Sequence, residues 1–229
     1  MTCSRCGSIP DSGSATCPQC GTPAISANPP ASPQSPSPEI AEARRLSLSA
    51  WKVIKAVVIN PNEDLPNVFR KLPLKDALET GLFLATLFDL CVILGIYLLL
   101  PHWAGRPGLG VILKLLLLGF VPPAAIAGAS LLARKVFQTA AGAIETDVLI
   151  AGATLIPTGF VLLAAGVLGM ANFEVVAIVS VFALVYTVLI LHTTCARISG
   201  IPEARAVPAV PIILLIAAWL SKIAFSAFL

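Results

Sequence analysis

The chain has 229 residues, of which 57% are hydrophobic and 12% are charged, with a formal net charge of +3 and a mean hydropathy of +0.89. A soluble domain carries roughly 45–50% apolar and about 25% charged residues. This composition excludes an ordinary soluble enzyme and a largely disordered protein, and the small net charge argues against a nucleic-acid binder. We therefore expect a polytopic membrane protein of the all-α class.

The first segment, residues 1–22, contains two Cys-x-x-Cys pairs, and each pair is followed by glycine. The four cysteines are Cys3, Cys6, Cys17 and Cys20. This spacing lets both pairs reach one tetrahedral Zn²⁺ at a Zn–S distance of about 2.3 Å. Because a segment this small has no core, the metal would supply its folding free energy. The sequence predicts a small N-terminal zinc ribbon that holds one structural zinc ion.

Disulfides, a redox motif and an iron–sulfur centre are the alternatives to zinc for these cysteines. Disulfides need an oxidising compartment, whereas the charge distribution described below predicts a cytoplasmic location. A redox Cys-x-x-Cys of the thioredoxin type needs a βαβ context, which the sequence lacks. An iron–sulfur centre uses the same ligands and stays open. The segment has two charged residues, Arg5 and Asp11, and no aromatic residue, which favours a protein partner over nucleic acid.

Two further segments lead to the membrane part. Residues 23–38 contain six prolines, which predicts a polyproline-like spacer of about 3.1 Å per residue and up to roughly 50 Å in all. Residues 39–76 are predicted to form amphipathic juxtamembrane helices. Their candidates for contact with an anionic membrane interface are Arg44, Arg45, Trp51, Lys52 and Lys55. A basic amphipathic helix suits such an interface, and packing on the body of the protein is the alternative.

The membrane domain, residues 77–229, contains five long apolar stretches. They lie at about 78–100, 109–132, 148–170, 174–193 and 207–228. Each approaches or exceeds the roughly 20 residues that cross a bilayer as a helix. With five spans, twelve of the fifteen Lys and Arg residues fall on one side, which predicts a cytoplasmic N-terminus and an outside C-terminus. With four or six spans, these Lys and Arg residues would be divided between the two sides of the membrane.

Three charged residues lie several residues inside the spans: Asp89, Lys114 and Lys222. Asp89 falls near the middle of the first span, where a charge is costly unless it is neutral, paired or in contact with water. It is either an ion, proton or substrate contact or a carboxyl bonded to a neighbouring helix. Lys114 and Lys222 are expected to extend to the outer interface. Glu145 and Asp147 precede the third span, where the helix dipole accounts for both.

Prolines and small residues indicate how the spans are shaped and packed. Pro122-Pro123 and Pro157 predict kinks, and the carbonyls that they free need partners on neighbouring helices. Small residues four apart suit close helix packing; the pairs are Ala124 with Gly128 and Ala165 with Gly169. The sequence contains no nucleophile–base pair or metalloprotease motif, so we predict that the protein is not an enzyme.

The membrane part, roughly residues 55–228, resembles the prokaryotic form of the Yip domain (Ypt/Rab-interacting protein) family. The resemblance rests on the stretch Asn60–Arg70, on five spans after a cytoplasmic N-terminus, and on the connector Ile198–Ala206 before the last span. It implies a membrane domain that follows a zinc ribbon and a proline-rich spacer. Eukaryotic members act in vesicle traffic and carry an Asp-Leu-Tyr-Gly-Pro segment. This chain has Asp64-Leu-Pro-Asn instead, so no functional residue carries over.

These features predict a non-enzymatic integral membrane scaffold or adaptor in a prokaryotic cytoplasmic membrane. Its cytoplasmic zinc ribbon would recruit a protein partner, and its body would contact membrane lipid but no nucleic acid. The alternative is a small transporter, channel or lipid-handling protein that uses Asp89. A third interpretation is a ribbon that senses metal or redox state. Formation of a homo-oligomer stays open.

Overall fold

The computed structural model of the chain describes residues 19–20, 38–99, 108–137, 143–168 and 173–228. The chain divides into two units, Met1–Ala41 and Glu42–Leu229. Most of the predicted ribbon and spacer lies outside the described residues. The second unit contains all the membrane-spanning helices.

Every regular element in the described ranges is an α-helix. The helices are α1 (Pro38–Ile59), α2 (Asp64–Lys71), α3 (Leu74–Leu99), α4 (Leu109–Gly119), α5 (Val121–Val136), α6 (Ile144–Leu168), α7 (Phe173–Arg197) and α8 (Glu203–Phe228). Five segments are long and apolar enough to cross a membrane, with α4 and α5 together forming the second of them. The predicted all-α membrane body with five apolar helices is confirmed.

Each spanning segment extends about one helical turn beyond its predicted apolar stretch, at the same end of the bundle in every case. The segments cover Leu74–Leu99, Leu109–Val136, Ile144–Leu168, Glu174–Arg197 and Glu203–Ala227. The added turns contain charged residues, which end an apolar run but are well tolerated at a helix end. We call this end, which also carries α1 and α2, the basic end.

The most extensive contact between helices joins α3 and α6, which run parallel. Near the basic end Gly81 lies against Gly152, and further along the helices Gly95 lies against Gly166. A β-carbon on Gly152 would lie 2.6 Å from the Gly81 carbonyl oxygen, and one on Gly166 would lie 2.7 Å from the Gly95 Cα. The two backbones therefore touch directly, as small residues permit in membrane helices.

The close contact repeats with the same spacing on both helices. Position by position, Gly81, Phe88 and Gly95 of α3 face Gly152, Gly159 and Gly166 of α6. Between the two glycine pairs, the Phe88 ring packs on Gly159, with Cδ2 3.0 Å from where a β-carbon would be. A seven-residue spacing keeps one face of each helix on its partner along a left-handed crossing.

The first of the two predicted small pairs, Ala124 with Gly128, is not a packing site between the described helices. Ala124 and Gly128 are both exposed, and a β-carbon on Gly128 would meet no heavy atom within 4 Å. This prediction was wrong because spacing alone does not say which face of a helix turns inward. Gly169, of the second predicted pair, lies outside the described residues.

The prolines act differently in the second and third spans. The second span divides at Phe120, and Pro122 and Pro123 fall in the first turn of α5, where a missing N–H costs no helical bond. The third span, α6, continues through Pro157. Beside that proline the Thr187 hydroxyl of α7 donates to the Thr154 carbonyl at 3.3 Å. This carbonyl is next to that of Ala153, which Pro157 leaves without its helical N–H.

Much of the bundle surface is apolar. Large side chains point outward on α7 and α8, among them Ile178, Phe182, Leu215 and Trp219, which are 63–71% exposed. Such faces are stable only where lipid tails cover them. Contact with membrane lipid follows from this surface.

Substitution at Gly152 tests the α3–α6 contact. Gly152→Ala is expected to lower the free energy of unfolding by roughly 1–3 kcal/mol, because the new methyl group overlaps the Gly81 backbone. Gly128→Ala is the matched control, since it makes the same change in an exposed helical position. It should leave stability unchanged or raise it slightly. Both are measured by unfolding in mixed micelles of increasing SDS content, and equal destabilisation would contradict direct backbone contact.

Candidate functional site

Asp89 is buried near the middle of α3 and is 0% exposed. Among the residues that the structure describes, neither of its carboxyl oxygens has a hydrogen-bond partner. Lys114 and Lys222, the other predicted intramembrane charges, are both exposed on the bundle surface. An ionisable side chain within an apolar helix is costly to keep in a membrane, which makes Asp89 a candidate functional residue.

The Asp89 carboxyl lies against the break between α4 and α5. Its Oδ1 atom occupies the place that a β-carbon on Gly119 would take, so only glycine allows this approach. Gly119 is the last residue of α4, and its carbonyl is four residues before Pro123. Because proline has no N–H, that carbonyl lacks the donor an unbroken helix would supply. Broken helices beside polar groups are typical of membrane binding sites.

A second buried polar cluster joins the end of α5 to the start of α6 at the basic end. The Arg134 guanidinium donates to Asp147 Oδ2, and the Ser130 hydroxyl donates to Asp147 Oδ1 at 3.1 Å. The Arg134 and Asp147 side chains are only 10% and 2% exposed. The helix dipole, which was expected to account for Asp147, is therefore an incomplete explanation.

A sequence signal for this ion pair exists in the ends of the two helices. Arg134 lies in the last turn of one helix, and Asp147 lies in the first turn of the next. Consecutive spans with a short connector bring such turns together. Opposite charges in those two turns therefore predict an ion pair, but its burial depends on the helices around it.

The helix α1 packs one face on the membrane body. Ala50, Val53 and Val57 are at most 1% exposed and belong to the main hydrophobic core. On the other side of the helix, Trp51 is 62% exposed. The two interpretations of this helix thus apply to different faces: one face contacts the body, and the other is free for a membrane interface.

The basic residues of α1 divide in the same way. Arg44, Lys52 and Lys55 are exposed. Arg45 instead bonds to Asp76 at 3.0 Å and lies 3.7 Å from Glu79. Of the residues predicted to face the interface, Arg45 is thus occupied by an ion pair with α3.

Two side chains of α7 bond to the end of α1 and to the turn before α2. The Tyr186 hydroxyl donates to the Val57 carbonyl at 2.7 Å, and the Thr193 hydroxyl donates to Asn62 Oδ1 at 2.7 Å. Tyr186 is eleven residues before Arg197, or roughly 16 Å along a helix axis. The end of α1 therefore lies beside the spanning part of α7.

The predicted zinc ligands lie at the edge of what the structure describes. Cys3, Cys6 and Cys17 are outside the described residues, and Cys20 is an exposed turn residue. In the described ranges, no group of three or more His, Cys, Asp or Glu side chains could hold a metal ion. Four thiolates remain a donor set that suits Zn²⁺, and zinc stays a prediction.

No protein-family model matches the chain, and comparison with curated proteins and with solved structures gives no significant match. The resemblance to the Yip domain therefore rests on the sequence features alone and stays a prediction. Function has to be argued from the geometry of the chain itself.

The buried pair of Arg134 and Asp147 gives a stability prediction. Arg134→Gln should lower the free energy of unfolding by roughly 3–5 kcal/mol, because it leaves Asp147 buried beside a group that carries no charge. Combining Arg134→Met with Asp147→Leu should recover most of that loss. Lys135→Gln, an exposed neighbour, is the control and should change stability by at most about 0.5 kcal/mol. A double variant as unstable as Arg134→Gln would contradict the role of the pair.

Proposed function

We propose that this protein is a non-enzymatic integral membrane scaffold whose N-terminal zinc ribbon recruits a protein partner to the five-helix body. The docking of α1, the helix that follows the proline-rich spacer, supports this proposal best. Its residues Val53 and Val57 are fully buried in the body. Arg45 bonds to Asp76 at 3.0 Å, and Glu42 lies 3.7 Å from Lys75. The chain thus leaves the membrane body from a fixed helix.

A fixed exit point makes the spacer an effective tether. Polyproline segments are semi-rigid, and a spacer of up to roughly 50 Å confines whatever it carries to a small volume near the membrane. A binding module on such a tether meets a membrane-bound partner at an effective concentration on the order of millimolar. The few charges on residues 1–22 favour a protein surface as its target.

The distribution of Lys and Arg favours a cytoplasmic location for the four cysteines, which is a reducing environment. The basic end of the bundle carries Lys75, Arg134, Lys135, Arg197 and Arg205 in its helix ends. Short basic flanks favour the cytoplasmic side of a membrane. A ribbon on that side would keep its thiolates reduced and available for zinc.

A ribbon variant tests the scaffold. Replacing Cys17 and Cys20 by serine should remove about one zinc ion per chain, as measured by elemental analysis of the purified full-length protein, because two of four ligands are lost. Cross-linking in cells followed by mass spectrometry should then lose a specific protein partner. The control replaces Ser12 and Ser14 by alanine and should keep both zinc and partner. Unchanged zinc content, or an unchanged set of partners, would contradict the proposal.

A second function, transport or lipid handling through Asp89, has one specific observation in its favour. The Asp89 carboxyl is fully buried, and within the described residues its oxygens have no hydrogen-bond partner. It lies beside Gly119 at the break between α4 and α5. A carboxyl in this setting could take up and release a proton or bind a polar group of a substrate.

Asp89→Asn separates the two functions. The amide keeps the shape of the acid but cannot release a proton, so proton flux into proteoliposomes that enclose a pH-sensitive dye should fall at least about tenfold if Asp89 carries protons. Stability in detergent should stay within about 1 kcal/mol. Glu174→Gln, an exposed position at the start of α7, is the control. Equal flux in wild type and Asp89→Asn would exclude proton transport through Asp89 and would favour the scaffold.

A further inference from the structure

A cleft between α1 and α2 at the basic end has a strongly cationic lining. It consists of two adjoining cavities of about 520 and about 480 Å³, which share Lys52, Val68 and Lys71. The larger cavity also contains Lys55, Asp64 and Asn67 in its lining. The two helices thus place three lysines around one open space.

The three lysines of this cleft are available to bind an anion. In the part of the chain that the structure describes, no ion pair engages Lys52, Lys55 or Lys71, whereas Lys75 and Arg45 nearby each contact two carboxylates. Asp76, which lines the smaller cavity, already bonds to Arg45. The larger cavity therefore combines three lysine charges with the single opposing carboxylate of Asp64.

The cleft also lies next to an apolar surface. The hydroxyl of Tyr186, within the spanning helix α7, donates to the Val57 carbonyl at the end of α1. Val58 and Ile59 beside it are 63% and 64% exposed, so the last turn of α1 has an apolar surface that lipid can cover. Lys52 and Lys55 come one to two turns earlier on the same helix, so the charged lining of the cleft is close to this apolar turn.

We propose that this cleft binds the phosphate group of an anionic phospholipid. The ammonium groups of Lys52, Lys55 and Lys71 neutralise the headgroup, and Ala56 and Val68 contact its glycerol region. A lipid fits better than free phosphate because the apolar last turn of α1 lies next to the cleft and can receive the acyl chains. This site does not depend on the zinc ribbon or on Asp89.

The test uses full-length protein purified in a neutral detergent and titrated with dioleoylphosphatidylglycerol, with bound lipid counted by native mass spectrometry. The cleft variant combines Lys52→Gln, Lys55→Gln and Lys71→Gln. The control variant combines Lys135→Gln, Arg197→Gln and Arg205→Gln, which removes the same charge from exposed positions. A lysine at a membrane surface contributes roughly fivefold to the binding of anionic lipid, so the cleft variant should bind on the order of a hundredfold more weakly.

The proposal holds if the control variant keeps its affinity within about threefold and dioleoylphosphatidylcholine binds far more weakly than the anionic lipid. It fails if both triple variants lose affinity equally, since general charge would then explain binding. It also fails if inorganic phosphate displaces the lipid at equal concentration, which would identify a site for a free anion. If the triple variant does not fold, Lys71→Gln alone replaces it in the test. Its affinity for the anionic lipid should then fall about fivefold.

Discussion

Direct backbone contact between α3 and α6 determines the position of the buried Asp89 carboxyl. The contact requires glycine at Gly81 and Gly152 near the basic end and at Gly95 and Gly166 further along. Because Phe88 packs on Gly159 in between, the next residue of α3 points about 100° away from α6. That residue is Asp89, and this rotation directs its carboxyl to Gly119 at the break of the second span. The buried acid is therefore a consequence of how the first and third spans meet.

The basic end combines interactions of very different strength. The ion pairs of Arg45 and Lys75 are partly exposed, and such pairs contribute at most about 1 kcal/mol each. The docking of α1 therefore depends mainly on apolar side chains such as Val53 and Val57, which are fully buried. The buried pair of Arg134 and Asp147 contributes little net stability but is costly to break. It restricts how α5 and α6 can be joined, whereas the exposed cations around the cleft stay available for ligands.

Hydropathy alone predicted the five spans, because long apolar runs in a membrane have few alternatives to a helix. It placed each helix end about one turn short at the basic end, since Lys75, Arg134 and Arg197 interrupt the apolar pattern without interrupting the helix. The glycine face was not predicted, because Gly152, Gly159 and Gly166 recur every seven residues, whereas the predicted small pairs have a spacing of four. The pairing of Arg134 with Asp147 and the cleft between α1 and α2 depend on contacts between distant helices, which no local pattern contains.

The pairing of the first span with the third has a consequence for biosynthesis. The helix α3 begins at Leu74 and its partner α6 begins at Ile144, so a ribosome completes α3 and the whole second span before the partner helix is made. During that interval the glycine face of α3 is in contact with lipid or with the insertion machinery. The nascent chain must therefore hold a polar residue, Asp89, in the bilayer before its final neighbours are complete.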